Sequence, residues 1–377
     1  MRVLVTDGNN RVALAVVRAL GRAGAEVTVV EQERFAARTP ASFLSRHARR
    51  HAVIPALGNR PAFLDALARE ARDVDVILPI STNVVLACAE GRDRLPARLP
   101  VPPVAVVRRA NDKSAILAVA RKVGVPIPVS FAPESEEELE EVVARVRLPA
   151  VVKLRDDEGT VLEPGERYAL ADTPEGLRRA YRSLHRLRPF PVVQEKVAGD
   201  GYGVGVLAKD GRLLASFCHR RVREYPVSGG PSAVCESVRD PKLVDYAARI
   251  VGELRWTGVA MVEFKKDDDY RVLEVNPRFW GSLPLATAAG VNFPFLLCRM
   301  AMGEEPSAPD YRAGVRVRFL PMDMAAAWSA ATRGGGAPGT LSGFFMDLLD
   351  PSIRDGIFDV DDLRASLAYW LNRLAQE

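Results

Sequence analysis

Glu263, Glu274 and Asn276 are the side chains best placed to gather around a charged centre. They lie in Gly258 to Trp280, GVAMVEFKKDDDYRVLEVNPRFW, which reads as an antiparallel hairpin. An apolar-rich run from Val259 to Lys265 is followed by a charged tip, Lys266 to Asp269, and a second run from Tyr270 to Asn276 closed by Pro277. Alternate side chains of a strand share a face. Met261, Glu263 and Lys265 are therefore expected together on the first run, and Val272, Glu274 and Asn276 on the second. Two carboxylates and an amide oxygen would then converge among Val, Met, Leu and Phe. Buried charge must be paired or metal-bound, and magnesium takes one or two carboxylates together with nucleotide phosphate oxygens. The plain alternative leaves both glutamates on the solvated face of an ordinary hairpin.

Two lysines raise the complementary question. Lys113 opens a helix in NDKSAILAVARKVGVPIP, which Asp112 can cap and Gly124 and Pro126 stop. A cation in the first turn opposes the helix dipole unless an anion is near. Lys153 stands within the apolar strand PAVVKL (149–154), pointing either to water or inward at an anionic ligand. The plain alternative for each is a surface lysine, and for Lys113 taken alone that is the safer reading.

The elements that would position these groups follow from periodicity. RVLVT (2–6), a helical run from Val12 to Leu20, Val27 to Val30 and VDVILPI (74–80) predict a strand-helix-strand opening to a parallel α/β layer. The turn Asp7-Gly8-Asn9-Asn10 and Glu31 admit a nicotinamide cofactor, but the GxGxxG fingerprint is missing and Asp7 would oppose a pyrophosphate. The better reading is a scaffold that supplies part of a substrate pocket. Ser81, Thr82 and Asn83 lie just past the third strand, where such sheets place ligands. After the linker LPARLPVPPV (95–104), Ser135 to Glu138 form a capping box opening a helix. Asp172-Thr173-Pro174 start another helix, running to about Leu187, and Phe190 to Glu195 is a strand. Tyr202 to Phe217 is a second hairpin, followed by Arg220, Arg221 and Arg223, the loop SGGPS (228–232) and a helix from Pro241 to Leu254. In the tail, VRVRFL (315–320) is strand-like and GGGAPG (334–339) is a loose connector. Val360 to Gln376 is a closing helix, capped by Asp361 or Asp362, with Leu363, Leu367, Trp370 and Leu371 on one face. No chemistry is visible in this tail, which could cover the core, form a dimer surface or dock a partner.

At 377 residues the chain calls for two or three domains. Its 52 Lys and Arg against 48 Asp and Glu give a formal charge of +4, too small to argue for nucleic acid or an anionic membrane. RHARRH (46–51) reads as a solvated helix face. Cys88, Cys218, Cys235 and Cys298 are scattered, without metal-ligand spacing or a disulfide framework, which suits a reducing cytoplasm. The first apolar run, Val3 to Val5, is too short for a signal peptide. The most membrane-like segment, 283–302, carries Pro284, Asn292, Pro294 and Arg299 and is expected to pack inside protein.

In order along the chain stand NDK (111–113), AVVK (150–153), VVQEKVAG (192–199), VEF (262–264) and EVNPR (274–278). Together they resemble the ATP-grasp superfamily, in particular its carboxylate-amine ligase and carbamoyl-phosphate-synthase-like branch, over most of residues 1 to about 300. The resemblance implies a mixed α/β chain, α+β in its catalytic part: a Rossmann-like parallel sheet (1–104), a two-subdomain ATP-grasp fold clamping ATP between antiparallel sheets (105–303) and a C-terminal extension (304–377). Lys113 and Lys153 would approach the ATP phosphates. Glu195 would accept from the adenine amino group, the backbone of Lys196 and Val197 would meet the ring edge, and Asp200 would contact the ribose. Glu263, Glu274 and Asn276 would hold magnesium, or manganese in its place. Arg278 would steady the transferred phosphoryl group, with Arg221 assisting from the facing hairpin. One departure stands out. Where many members carry a Gly/Ser-rich loop over the phosphates, 155–167 reads RDDEGTVLEPGER, and Asp156, Asp157 and Glu158 would repel a triphosphate if they pointed inward.

The implied activity is ATP-dependent activation of a small carboxylate as an acyl phosphate and its transfer to an amine, by a cytoplasmic enzyme, as a possible homodimer, without nucleic-acid or membrane partners. Bicarbonate use, as in carbamoyl-phosphate synthase or biotin carboxylase, is the alternative within this family. A nicotinamide-dependent oxidoreductase and a non-catalytic nucleotide-binding module stand further off.

Overall fold

The computed structural model describes residues 1–159, 166–226, 229–307, 309–333 and 339–374. The opening layer is the expected parallel sheet. Strands β1 (Arg2–Val5), β2 (Glu26–Gln32), β3 (Ala48–Ile54) and β4 (Val76–Leu78) are ordered β3-β2-β1-β4. Val3, Leu4 and Val5 are fully buried, as befits a strand covered on both faces. β3 corrects the reading of Arg46 to His51 as a helix face. It is the edge strand of the sheet, with Arg49, Arg50 and His51 exposed, and an edge strand tolerates charge because its outer side has no neighbour to desolvate it.

Two antiparallel layers follow. β5 (Ser130–Phe131), β6 (Ala150–Lys153), β7 (Tyr168–Ala171) and β8 (Val192–Glu195) form a four-stranded sheet, ordered β5-β8-β6-β7. It is covered by helices Glu136–Arg145 and Pro174–Leu187, which bury Leu139, Val142, Leu177 and Tyr181 against Val152 and Val193. Both helices start where their caps predict: Ser135 Oγ accepts from Glu138 N at 3.1 Å and Thr173 Oγ1 from Gly176 N at 3.0 Å.

The larger sheet has seven strands, ordered β13-β12-β9-β10-β11-β14-β15. Its members are β9 (Asp200–Lys209), β10 (Arg212–Glu224), β11 (Ser232–Val238), β12 (Gly258–Lys266), β13 (Tyr270–Asn276), β14 (Arg316–Arg318) and β15 (Arg354–Asp355). In the β12–β13 hairpin Met261 faces Asn276 and Glu263 faces Glu274, but the register then slips so that Phe264 faces Val272. The extra residue at Leu273 turns Val272 away from Glu274 and into the core beside Phe264. Val272 was expected on the acidic face, and the bulge is why it is not there.

The segment 283–302 forms two helices, Leu283–Ala289 and Phe293–Ala301, bent by 91° and buried against the protein, and among the described residues no single helix is long and apolar enough to cross a membrane. The closing helix spans Leu363–Leu374. Asp359 caps the 3-10 turn before it, its Oδ1 accepting from Asp361 N at 3.1 Å. Leu363, Leu367 and Leu371, expected together on one face, are 48%, 55% and 65% exposed, while Trp370 packs partly buried against the core. Polar anchoring sets the rotation instead. Buried Asp362 accepts from Arg18 Nε and Ser45 Oγ, each at 2.8 Å, and Ser366, one turn on, accepts from Arg18 Nη2 at 2.9 Å. Of the connector GGGAPG, residues 334–338 lie outside the described residues.

Candidate active site

A cavity of about 700 Å3 opens between the two antiparallel sheets and the C-terminal ends of β1, β2 and β4. Lys113, Lys153, Glu195, Lys196, Val197, Arg221, Glu263, Glu274, Asn276 and Arg278 all line it. Asp200 does not. It is exposed at the start of β9, with Arg220 3.6 Å away, so the structure does not bring it to the cavity.

The acidic centre is built by register. Glu263 and Glu274 project side by side, and Asn276 Nδ2 donates to Oε1 of Glu263 at 2.9 Å and to Oε1 of Glu274 at 3.4 Å. The amide oxygen, expected to join the carboxylates, instead accepts from Arg278 Nη2 at 3.0 Å. Two adjacent carboxylates need a donor between them, and the amide nitrogen supplies it; a half-turn of the amide would exchange the two atoms. Arg221 Nη2 donates to Glu263, and Arg221 Nη1 to Glu224 at 3.0 Å. Lys113 Nζ lies 3.4 Å from Glu274 Oε2.

These neighbours set the protonation of the pair. Burial works to raise the Glu274 carboxyl, but the charges of Lys113, Lys153 and Arg221 overcome it and hold it down at about 2. Burial pushes Glu263 up, against the pull of Arg221. Burial also brings Lys153 down to about 8, with Glu274 pulling the other way and Lys113 adding to the fall. No carboxylate lies within 4.0 Å of Lys153 among the described residues. Burial likewise holds Arg278 below its ordinary range; among the described residues its guanidinium donates to neutral acceptors, Thr82 Oγ1, Phe279 O and Asn276 Oδ1.

The donor set suits a hard divalent ion. Both Oε1 atoms reach a single point, now filled by the Asn276 amide, and no group of three or more His, Cys, Asp or Glu gathers as a fuller metal cluster among the described residues. A site of two carboxylates leaves the other coordination positions to water or phosphate, the usual habit of magnesium.

At the end expected to take a base, Glu195 Oε1 accepts from Arg147 N at 3.1 Å and Lys196 N donates to Pro149 O at 3.1 Å. The Lys196 N–H is thus occupied within the protein. The acidic loop is less hostile than its composition suggests. Asp156 lies 2.8 Å from Arg188, Asp157 3.3 Å from Arg167 and Glu158 3.0 Å from Arg108, while Arg155 spans Asp112 at 2.8 Å and Glu134 at 3.2 Å. Gly159 N donates to Asn83 Oδ1 at 2.8 Å. Residues 160–165 of this loop, and Ser228 of SGGPS, lie outside the described residues; Gly229 to Ser232 line the cavity, where Gly230 O accepts from Arg221 at 3.2 Å.

The opposite wall comes from the parallel sheet. Ser81, Thr82 and Asn83 all reach the cavity. Asp7 is spent on structure, taking hydrogen bonds from Thr6 Oγ1 and from Ser81 through both its N–H and its hydroxyl. Glu31, the acid the nicotinamide reading required for a ribose, is instead bonded by Asn9 N at 2.7 Å and Gln32 N at 2.6 Å. Asn10 caps the first helix, Arg11–Arg22, accepting from Val12 N at 2.9 Å. Arg11, His219 and Ser282 line the cavity without having been singled out in the sequence. Burial pushes the His219 imidazole down to about 3, and its Nε2 lies 3.0 Å from Ser282 Oγ. Arg11 carried a usable signal: it is a cation at the first position of a helix, the same anomaly that marks Lys113.

Residues 188–321 match the family model described as ATP-grasp in the biosynthetic pathway with Ter operon. Among curated proteins, the carbamoyl phosphate synthase large chain of Methanoculleus marisnigri is 29% identical over 213 residues, covering 53% of this chain and 20% of that protein. The chain therefore spans about a fifth of such a relative's length. The biotin carboxylase domain of Hydrogenobacter thermophilus 2-oxoglutarate carboxylase, a dimer in complex with MgADP, ADP and bicarbonate, superposes with a TM-score of 0.66 at 17% identity, over 84% of this chain and 73% of that one. The L-amino acid ligase of Bacillus licheniformis does so with a TM-score of 0.62 at 18% identity, over 80% and 74%. The resemblance to the ATP-grasp superfamily holds, in the family match of 188–321 and in the fold.

Proposed function

We propose that the chain is an ATP-dependent, ADP-forming ligase that activates a small carboxylate as an acyl phosphate and joins it to an amine. The observation that carries this reading is the pairing of Glu263 with Glu274 inside a ring of Arg221, Lys113, Lys153 and Arg278, of which Lys153 and Arg278 have no carboxylate of their own among the described residues. Phosphoryl transfer is chiefly positioning and charge neutralisation. Lys113 and Lys153 would hold the phosphates; Glu263 and Glu274, with Asn276 after its amide turns, would hold magnesium or manganese. When bound, such an ion would supply positive charge to offset that of the triphosphate. A carboxylate oxygen of the substrate attacks the γ-phosphorus and ADP leaves. The amine nitrogen then attacks the acyl carbon, inorganic phosphate leaves and the nitrogen gives up a proton. Arg278 is placed to steady the acyl phosphate and Arg221 to keep Glu263 ionised.

Glu195 and the backbone of Lys196 and Val197 would receive the base, chiefly through Val197 and the carbonyl of Lys196, since the Lys196 N–H is engaged. Asp200 is left without a part. Bicarbonate in place of an organic acid is the second reading, favoured by the carbamoyl phosphate synthase relatives and by the bicarbonate bound to the Hydrogenobacter domain. A homodimer in the cytoplasm belongs to the same proposal, and light scattering tests the dimer. The decisive assay is phosphate release from Mg-ATP across amino acids and small carboxylates, singly and in pairs, with and without bicarbonate. Glu274→Ala is expected to abolish ADP formation while melting like the parent; normal turnover in that variant refutes the metal assignment.

A further inference from the structure

Helices Leu320–Arg333 and Thr340–Leu349 pack against each other, the first of them lying on β10 and β11, and the pair is inside out. Its acids face the protein. Asp323 accepts from Arg223 Nε at 2.7 Å, and Asp347, also buried, accepts from Arg223 Nη2 at 2.5 Å and Arg316 Nη1 at 2.9 Å. Its large apolar side chains face outward: Trp328 is 72% exposed, Phe345 61%, Met346 68% and Leu349 80%, and Met324, Leu341 and Leu348 are exposed as well. The helical period accounts for the inversion. In Thr340–Leu349, Thr340 and Asp347 stand seven residues apart on the buried face, so Leu341, Phe345 and Leu349, spaced by four, form a row on the opposite one. Met324 and Trp328 are likewise four apart on the first helix. Asp347 could not turn away without leaving the arginines of the sheet unmatched, and that cost outweighs the exposure of a few apolar side chains.

We infer that this helix pair is the surface on which a second copy of the chain docks, patch against patch about a two-fold axis. The inference rests on the proposed homodimer and is independent of the ligase chemistry. Size and charge select this occupant. At about 200 Å2 for a whole large side chain, the exposed parts of these seven amount to about 800 Å2, the share one partner gives to a standard stable interface. An apolar surface of that extent exceeds what a monomer ordinarily leaves in water. Leu320 to Thr332 and Thr340–Leu349 contain neither Lys nor Arg, and both of their acids are turned inward. The face therefore offers an unlike protein no charge to pair with, and it lacks the basic residues by which an interfacial helix holds a lipid surface. An uncharged apolar patch that can meet its own copy is what a two-fold interface requires. Residues 322–349 also lie beyond the family match of 188–321, so the surface belongs to the extension rather than to the shared part of the chain.

Sedimentation velocity of the whole chain over a concentration series tests this. The parent is expected to dimerise reversibly, and Phe345→Glu to raise the dimer Kd at least about 30-fold, the worth of one hot-spot side chain. Leu349→Glu, at the most exposed position of the row, carries the same test should Phe345→Glu fail to fold. Leu367→Glu, in the exposed row of the closing helix, is expected to leave the dimer intact. Mixing Phe345→Glu with Phe345→Lys should restore a dimer that neither variant forms alone, because a two-fold interface sets the same patch against itself. A parent dimer that survives both Phe345→Glu and Leu349→Glu, that Leu367→Glu alone dissociates, or that the Glu and Lys mixture fails to restore overturns this interface and leaves the homodimer standing. A parent that stays monomeric at tens of micromolar overturns the homodimer along with it, and its sedimentation as a monomer with phosphatidylcholine vesicles would give the face to lipid instead. In each case ADP release from Mg-ATP judges the ligase reading separately.

Discussion

Replacing Lys153 by Met tests the cavity's electrostatics from two sides at once. With nothing bound, the buried ammonium is a burden on the fold: its pKa falls from 10.5 to about 8 because burial and Lys113 outweigh Glu274. The sign follows from the folded value lying below the unfolded one. Below about pH 8 both states carry the proton and the full cost is present; between about 8 and 10.5 the folded state gives it up first, and above 10.5 the cost is gone. At 1.36 kcal/mol per pH unit the gap corresponds to at most about 3 kcal/mol. Because the ammonium borders the cavity and keeps some water, about 1–2 kcal/mol is the fairer expectation. Lys153→Met should therefore be more stable than the parent by that amount at pH 7 in urea denaturation, and the advantage should shrink toward pH 10. ATP should bind the variant about 10- to 100-fold more weakly, the worth of a hydrogen bond to a charged group. In the parent, ATP affinity should fall as pH rises above about 8, with proton uptake on binding measurable by calorimetry in buffers of different ionisation heat. A variant that is less stable at pH 7, or that binds ATP as tightly as the parent, refutes the assignment of Lys153 as an inward-facing phosphate ligand.

Two further expectations concern the walls. Arg223 donates to both oxygens of Asp323, at 2.7 and 2.9 Å, and to Asp347 at 2.5 Å, with all three side chains at most 8% exposed. Arg223→Met should cost about 3–5 kcal/mol because it strands the buried Asp323 carboxylate, while Asp347 keeps Arg316 at 2.9 Å, and adding Asp323→Leu should recover part of it; equal melting of the single variant and the parent would contradict the network. A Cβ on Gly205 would lie 2.2 Å from the fully buried Trp280 ring. Gly205→Ala should lose about 1–3 kcal/mol in urea denaturation, and an unchanged midpoint would show that the ring is free to move.

Local signals in the sequence located most of this site. Strand alternation placed Glu263, Glu274 and Asn276 on one face, and caps at Asp112, Ser135 and Thr173 fixed three helix starts. What escaped was decided by partners far along the chain. The bulge at Leu273, which carries no Gly or Asn to announce it, turned Val272 inward. The acids of the loop at 156–158 looked repulsive because Arg188, Arg167 and Arg108, which neutralise them, are distant in sequence. Arg46 to His51 showed charge where the fold has a sheet edge. The closing helix was rotated by one buried acid against the preference of its leucines. Asp200 sat next to a matching motif, yet the turn into β9 carried its side chain outward.

The residues after Gly303 look dispensable on paper, and a laboratory trimming the chain for expression would cut there. Asp323 and Asp347 belong to that stretch, while the Arg223 they satisfy sits two positions from Arg221 on β10, which β9 separates from the acidic hairpin in the same sheet. Phe319 and Met322, the only seat of Arg11 among the described residues, would go too, as would Asp362, the acid partner of Arg18. Such a truncation would leave three unmatched guanidiniums in a protein that had kept every one of its nucleotide motifs. Its inactivity would then be misread as a missing substrate when the fault lay in a missing abutment.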